Sequence, residues 1–415
     1  MSVKLRLIIM NFLEFFVWGS WLISLGGYMI ITLKFTGSQV GSIYATMGVA
    51  SLFMPSIMGI IADRWVNAER VLGACHIIGA LLLLWAAQAT DYKLMYIIML
   101  FNSMVYMPTI ALNNAVSYAI LQQERIEIVK YFPPIRVWGT VGFVAAMWVI
   151  DFGKWTLVPA QLYVAATAGL TLGIYAFTLP ACPPTHIKKS DSLIHVLGFD
   201  AFILLKRTRM AVFFIFAMML GAALQVTNTF GEAFIHDFTA SYPDSFAVQH
   251  PSLLMSASQI SETLFILTIP FFLKRFGIKT VMMMSIFAWV LRFGLFAFGN
   301  PGSGLTLLIM SMIIYGIAFD FFNISGSLFV KSEADDSILS SAQGLFMLMT
   351  NGIGAFVGGT LSGWVVDFFT TDGVRDWQNI WLSFAAYALI LGIVFPIAFR
   401  YDHKPDSVPL KMGKT

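Results

Sequence analysis

The chain has 415 residues, of which 58% are hydrophobic and only 11% are charged. Soluble domains carry about 25% charged residues, so most of this surface must face lipid, and the net charge of +3 gives no indication of nucleic-acid binding. The two cysteines, Cys75 and Cys182, provide neither a disulfide framework nor a zinc-ligand spacing, and no metal or cofactor is predicted. The composition predicts an all-α integral membrane protein surrounded by membrane lipid.

Apolar runs define the predicted membrane helices. A helix needs about 20 apolar residues to cross the hydrocarbon core, and a window of that length predicts twelve transmembrane helices. The first run is too long for the core of a signal peptide, so we interpret it as a retained span. The predicted spans, numbered 1 to 12, are 7–32, 39–62, 68–89, 93–121, 134–151, 158–180, 209–232, 253–273, 280–298, 304–330, 340–367 and 375–400.

One long polar segment, 183–209, leaves six spans on each side. Its later part, 192–205, has the pattern of an amphipathic helix lying on the membrane surface. The predicted domains are an N-terminal six-helix bundle (1–180), a cytoplasmic linker (181–208), a C-terminal six-helix bundle (209–400) and a cytoplasmic tail (401–415).

The distribution of Lys and Arg predicts the orientation. If the N-terminus is cytoplasmic, the external loops contain only four basic residues, Lys34, Lys93, Lys154 and Arg375. Cytoplasmic loops carry the excess of Lys and Arg in membrane proteins. Both termini are therefore predicted to be cytoplasmic.

The loop after span 2 reads GIIADRWVNAER, and the loop after span 8 reads PFFLKRFGIK. Basic residues occupy matching places in the two loops, which favours two related halves around a central site. The spacing of Gly59, Asp63, Arg64 and Arg70 resembles the signature of the major facilitator superfamily, although the usual glycine after the Asp-Arg pair is absent. An ordinary charged turn is the alternative interpretation.

Polar and aromatic side chains repeat at helical spacing in four predicted spans. Residues three or four apart share a helix face, and scattered polar residues would not be expected to repeat in this way. The stripes consist of Arg136, Thr140 and Phe143 in span 5, Gln225 and Asn228 in span 7, Gln259 and Glu262 in span 8, and Tyr315, Phe319 and Phe322 with Asp320 and Asn323 in span 10.

This mixture favours a ligand with both polar and flat parts. Amides and carboxylates bind hydroxyl and NH groups, and aromatic faces stack on flat rings. A sugar attached to a flat heterocycle needs both kinds of contact. A purely apolar ligand would not need the amides, and a free anion would call for more cations.

These residues also have structural interpretations. The amides can bridge helices, and the phenylalanines can simply pack. Arg136 lies near the predicted cytoplasmic start of span 5, where its spacing favours a snorkelling side chain. Arg292 in span 9 is a candidate partner for the carboxylate of Asp320.

Two carboxyl groups, Glu262 and Asp320, lie within apolar spans, where a charged side chain costs at least about 2.5–3.5 kcal/mol. A structural ion pair is one interpretation. A proton carrier is the other, because a desolvated carboxyl group can exchange protons near neutral pH. Glu14 in span 1 is a further protonatable group, whereas the scattered histidines do not predict a histidine relay.

Six longer strings resemble the nucleoside:H+ symporter family, which belongs to the major facilitator superfamily, and the resemblance is nearest to its enteric nucleoside and xanthosine permease group. The strings are FVWGSWLISLGGYM (16–29), YMPTIAL (106–112), FPPIRVWGTVGF (132–143), LQVTNTFG (224–231), SQISETLFILTIPFFLKRFGIK (258–279) and YGIAFDFFNISGS (315–327). The resemblance implies a major facilitator fold with two six-helix bundles. It also implies import of purine or pyrimidine nucleosides, xanthosine among the candidates, together with protons.

The same resemblance implies the site residues. It assigns Arg136 to the site, against the spacing argument, and it implies that Glu262 and Asp320 couple the proton. Glu14 departs from the family pattern, in which glutamine is expected. The implied substrate-facing residues are Arg136, Thr140, Phe143, Gln225, Asn228, Gln259, Glu262, Tyr315 and Phe319.

The expected protein is thus a monomeric nucleoside importer of a bacterial inner membrane, with no cofactor. A proton-coupled sugar or oligosaccharide symporter of the same fold is the alternative. An enzyme is not expected, because the sequence lacks HExxH, GxSxG and a glycine-rich phosphate loop followed by lysine. A receptor would bind the ligand without accumulating it.

Overall fold

The structure is a computed structural model that describes residues 2–184, 199–335 and 338–401. Helices account for most of the described chain. In the first half they are Val3–Gly19, Leu25–Gly27, a π-helical turn at Tyr28–Thr32, Gly37–Arg64, Ala68–Ala86, Tyr92–Gln123, Ile128–Phe152 and Ala160–Ala176.

The second half repeats this helical pattern and adds a small hairpin. Strands β1 (Thr370–Thr371) and β2 (Val374–Arg375) pair antiparallel. The helices are a 3-10 helix at Phe199–Lys206, then Thr208–His236, Phe246–Gln249, Pro251–Ile266, Ile269–Phe298, Leu305–Glu333, Leu339–Met347, a π-helical segment at Leu348–Gly354, Ala355–Phe368 and Trp377–Ala398.

Among the described residues, nine helices have the length and apolar composition needed to cross a membrane. They correspond to predicted spans 2–5, 7 and 9–12. Spans 1, 6 and 8 are shorter or interrupted helices, and the count of twelve is consistent with the fold. Of the predicted surface helix at 192–205, residues 192–198 lie outside the described residues, as does the predicted tail beyond residue 401.

Span 1 was predicted to be continuous over 7–32, but its long helix ends at Gly19 and helix resumes at Leu25. The break allows a close approach to span 7. A Cβ atom added at Gly26 would lie 1.9 Å from the carbonyl oxygen of Thr229, so this crossing requires glycine.

Span 8 begins with Pro251–Ile266 and continues into the first turns of Ile269–Phe298. Gly277 interrupts that second helix with a φ of 77°, a conformation that glycine adopts without steric cost. It divides span 8 from span 9 at the boundary between two predicted spans.

Spans 2 and 11 join the two halves along a row of glycines. A Cβ atom at Gly41 would lie 2.1 Å from the Gly359 carbonyl oxygen, whereas one at Gly59 or Gly344 would meet no atom of the described residues within 4 Å. We call the side with the helix ends at Val3 and Ala398 the termini face, and the other side the opposite face. The two spans therefore touch near the opposite face and diverge toward the termini face.

Candidate substrate and proton site

Span 5 presents Arg136, Thr140 and Phe143 at a tight crossing with span 1. A Cβ atom at Gly142 would lie 2.1 Å from the carbonyl oxygen of Phe12. Small residues allow helices to approach this closely. The PPIRVWGTVGF sequence thus fixes the face of span 5 that carries the three candidate residues.

The side chain of Arg136 points into the protein. Its guanidinium lies 4.0 Å from the centroid of the Phe15 ring, and it interacts electrostatically with Glu14 and Glu262. Among the described residues it has no carboxylate partner within 4 Å. This environment favours a role inside the protein over snorkelling.

Phe143 is buried and packs within the first half. Its ring meets Trp18 edge to face, with centroids 6.2 Å apart. In the part of the chain that the structure describes, no ring contact joins it to Tyr315 or Phe319. The structure therefore does not bring the predicted aromatic residues of the two halves together.

The amide side chains of span 7 have no hydrogen-bond partner among the described residues. Gln225 is buried and Asn228 is half-buried. The hydroxyl of Thr229 donates to the backbone carbonyl of Gln225 (2.8 Å), and the amide group is left free. The amide of a residue that only bridges helices would form an interhelical hydrogen bond, so the free amides favour ligand binding.

Span 8 uses its serines and its larger polar residues differently. Ser261 donates to a carbonyl of span 10, and Ser258 donates to the sulfur of Met312 at 3.1 Å. These bonds hold one face of span 8 against span 10. Gln259 and Glu262 lie one residue further along the helix and are half-buried.

Span 10 provides a flat aromatic surface. The rings of Tyr315 and Phe319 are stacked, with centroids 5.8 Å apart and planes inclined by 5°. Trp289 meets Tyr315 edge on at 6.1 Å, and the guanidinium of Arg292 lies 4.6 Å from the Tyr315 ring. The side chain of Gln259 lies near the Tyr315 hydroxyl. Tyr315 is therefore held from three sides.

The expected pairing of Arg292 with Asp320 does not occur. Arg292 donates to the carbonyl of Ser311 (2.6 Å) and to the hydroxyl of Ser258 (3.4 Å). Ser311 lies nine residues before Asp320, about 13 Å along the helix axis. Arg292 therefore joins spans 8, 9 and 10 at a different level from the carboxyl group.

Asp320 is only 5% exposed, and among the described residues its Oδ2 atom has no hydrogen-bond partner. It interacts electrostatically with Glu262. An unpaired buried carboxylate is costly, so this pair of carboxyl groups is suited to binding and releasing a proton.

A cavity lies beside Phe319, in the same half of the protein. Its lining includes Trp289, Phe322, Asn323 and Asn351. Trp289 and Asn351 were not among the predicted site residues. Asn351 could have been found as an isolated amide in the apolar, glycine-rich span 11.

A buried polar cluster in the first half was also missed. The Oε2 atom of Glu14 lies 2.7 Å from Nε2 of His76, and the Thr109 hydroxyl donates to Oε1 at 2.6 Å. Tyr106 donates to the backbone carbonyl of Glu14 (2.7 Å). Glu14 and His76 are 62 residues apart, and the available signal was an ionisable residue within the apolar part of each of two spans.

Comparison with known protein families identifies the family of this chain. The family model for the nucleoside H+ symporter matches residues 1–404. The chain belongs to the nucleoside H+ symporter family. The expected family is thereby confirmed.

Two relatives match almost from end to end, and the crystal structure of one of them matches as well. The chain is 56% identical over 411 residues to the xanthosine permease of Escherichia coli K12, covering 98% of both chains. It is 52% identical over 406 residues to the nucleoside permease NupG of the same organism, covering 97% of each. The crystal structure of the nucleoside transporter NupG superposes with a TM-score of 0.92 and 52% identity, covering 97% of this chain and all of that one.

These matches confirm the expected fold and class. This family member is a multi-pass membrane transporter with a twelve-helix, major-facilitator-type fold. Its relatives are permeases and not enzymes.

Proposed function

We propose that this family member imports nucleosides together with protons across a bacterial inner membrane. The observation that carries the proposal is a group of unpaired polar side chains in the same half as a stacked aromatic pair. Among the described residues, the amides of Gln225 and Asn228 and one oxygen of Asp320 have no hydrogen-bond partner, and Tyr315 and Phe319 form the stack.

The base and the ribose would be bound by different parts of the site. The heterocycle stacks on the Tyr315–Phe319 surface, since aromatic faces favour offset stacking with flat rings. The amides of Gln225, Asn228 and Gln259 bind hydroxyls or base edges. The opposing wall is formed by span 5, with Arg136, Thr140 and Phe143.

Glu262 and Asp320 carry the proton in this proposal. Their electrostatic interaction and the unpaired Oδ2 atom of Asp320 support it. Protonation removes a charge from a region where charge is costly. The empty protein and the fully loaded protein can then change conformation, whereas a half-loaded protein cannot.

The termini face is assigned to the cytoplasm because the basic residues of the loops lie mainly on that side. The divergence of spans 2 and 11 toward that face then corresponds to an inward-open form. The proposed units are the six-helix bundles 1–180 and 209–400, joined by the linker 181–208, in a monomer surrounded by lipid.

Purified protein in liposomes tests this function. An inside-alkaline pH gradient should drive accumulation of labelled nucleoside, and an uncoupler should abolish it. A sodium gradient alone should not restore accumulation. Sodium-driven uptake after collapse of the proton gradient would contradict proton coupling.

Competition separates nucleoside transport from the sugar alternative. Unlabelled uridine, adenosine and xanthosine should be tested beside their free bases, ribose and maltose. Xanthosine is included because a 56% identical relative is named for it. Intact nucleosides should compete best, whereas competition by sugars alone would favour the sugar or oligosaccharide symporter.

A further inference from the structure

Asp151 at the end of span 5 binds the beginning of span 8 in the other half. Its Oδ1 atom accepts from the backbone N–H groups of Ser252 (3.1 Å) and Leu253 (3.3 Å), and its Oδ2 lies 2.6 Å from Nδ1 of His250. The carboxylate is 1% exposed. The chain distance from Asp151 to Ser252 is 101 residues, so this is a bond between the two halves.

Asp367 at the end of span 11 makes the reverse connection. Its two carboxylate oxygens accept from the backbone N–H groups of Gly37 (2.5 Å) and Ser38 (2.8 Å), which begin span 2. Asp367 and Gly37 are 330 residues apart. Here a carboxylate of the second half binds a helix of the first.

Both aspartates complete the first turn of a helix that is otherwise incompletely capped. In span 2, Thr36 and Gln39 form a capping box that satisfies the N–H groups of these two residues, and the N–H groups of Gly37 and Ser38 are left for Asp367. In span 8, no side chain at the cap position forms the usual bond. The first N–H groups of a helix need partners, and a carboxylate there also interacts favourably with the helix dipole.

The two connections occupy equivalent places in the two halves. Spans 5 and 11 are each the fifth of their set of six, and spans 2 and 8 are each the second. Each half thus donates one carboxylate and receives one, and both contacts lie on the opposite face. Because the two halves are related, the same kind of contact occurs at both equivalent positions, and each one joins a helix start to the other half.

We propose that Asp151 and Asp367 form a two-point latch that holds the opposite face closed, and that transport requires both contacts to break and re-form. This inference rests on the proposed transport function. Both residues act as positioning residues. Asp151 holds the first turn of the helix that carries Gln259 and Glu262, so the latch connects closure of that face to the geometry of the site.

The charge of each aspartate is what the latch needs. Hydrogen bonds to a charged group are stronger than those between neutral groups. When the halves separate, the carboxylate and the N–H groups can both be hydrated. Asp→Asn keeps the size of the side chain and one acceptor oxygen but removes the charge, and so weakens the closed form selectively.

Distance measurements between spin labels test the latch directly. Labels at Val158→Cys in the first half and Asp244→Cys in the second half lie at exposed positions on the opposite face. The background carries Cys75→Ala and Cys182→Ala. We expect short distances in the parent protein. Asp151→Asn or Asp367→Asn should raise the open-to-closed ratio by about tenfold each, and the double variant should raise it further.

Asp372→Asn is the matched control, because Asp372 is exposed in the hairpin on the same face and forms none of these bonds. It should leave the distances unchanged. The double variant should also exchange nucleoside more slowly across liposomes while it still binds nucleoside. If the double variant does not fold, the label distances in the two single variants test the latch.

Unchanged distances and unchanged exchange in folded latch variants would overturn the proposal. The distance readout needs neither substrate nor a proton gradient. A failure of the latch is therefore distinguishable from a failure of nucleoside transport, which appears as absent uptake by the parent protein.

Discussion

Two buried carboxyl groups, Glu14 in the first half and Asp320 in the second, lie in contrasting surroundings. Both oxygens of Glu14 are paired, one with His76 and one with the hydroxyl of Thr109. Asp320 has an oxygen without a partner among the described residues, and it interacts with a second acidic group, Glu262.

The contrast shows that burial alone does not mark a proton carrier. Both oxygens of the Glu14 carboxyl already take part in hydrogen bonds, and leaving a buried polar group unpaired costs about 1–3 kcal/mol. At Asp320 a proton can be gained without breaking such a bond. We therefore propose a structural role for Glu14 and the exchangeable proton for Asp320.

The largest expected effect is the loss of proton-driven accumulation in Asp320→Asn and Glu262→Gln. Both substitutions keep the shape of the side chain but remove its titration. Exchange of labelled for unlabelled nucleoside should persist, because exchange needs no net proton movement. Liposome uptake with an imposed pH gradient, beside exchange without one, measures the two activities.

Glu14→Gln is the control for that experiment, and it should still accumulate nucleoside. If Glu14→Gln abolishes accumulation while the two second-half variants retain it, the assignment of the carrier is reversed. Loss of both accumulation and exchange in a variant would instead indicate a damaged site.

The next largest effect concerns stability. His76→Ala leaves one oxygen of the buried Glu14 carboxyl without its hydrogen-bond partner, a loss that costs at least about 1–3 kcal/mol. Asp320→Ala should cost much less, because its Oδ2 atom has no hydrogen bond to lose among the described residues. Thermal unfolding in detergent measures the stability of both variants. If both lose the same stability, the hydrogen bonds of Glu14 contribute no more to folding than the surroundings of Asp320 do.

The sequence predicted the spans well because the apolar pattern is local. The long helices Gly37–Arg64 and Thr208–His236 follow predicted spans 39–62 and 209–232 within a few residues. The interruption between Gly19 and Leu25 was not predicted, because it depends on how closely span 1 approaches span 7. Such an approach is a property of packing and leaves no periodic signal.

The stripes of the candidate site were predictable for the same reason. Gln259 and Glu262 share a helix face by spacing alone. The partner of Glu14 was not predictable, since His76 lies 62 residues away, and neither was the bond from Asp151 to Ser252 across 101 residues. These contacts depend on which helices are neighbours in three dimensions.

A smaller effect, about 1–3 kcal/mol of binding free energy, is expected for Gln225→Ala and Asn228→Ala. Each substitution removes an amide that would bind the substrate, and it removes no hydrogen bond that stabilises the protein. Gln161→Ala is the matched control, because Gln161 accepts from Ser24 (2.7 Å) and donates to the Thr156 carbonyl (2.8 Å). It should lower stability and leave nucleoside affinity unchanged.

Nucleoside binding to purified protein and thermal unfolding together sort these variants. If the two span 7 variants lower stability and leave affinity intact, their amides bridge helices in a form other than the one described. If Gln161→Ala weakens nucleoside binding as much as Gln225→Ala and Asn228→Ala do, an unpaired amide does not indicate contact with the substrate.

The smallest effect is expected for Phe319→Leu, which keeps apolar bulk but removes the ring that stacks on Tyr315. Stacking contributes about 0.5–1.5 kcal/mol beyond the area buried, so nucleoside affinity should fall by that amount. Phe329→Leu is the control, since Phe329 lies in the same span and packs against Phe213 and Phe399. Calorimetry with the intact nucleoside should show a deficit only for Phe319→Leu. Equal affinities for both variants would mean that the stacked pair is packing, as its neighbours along span 10 are, and the base would then have to be bound elsewhere in the site.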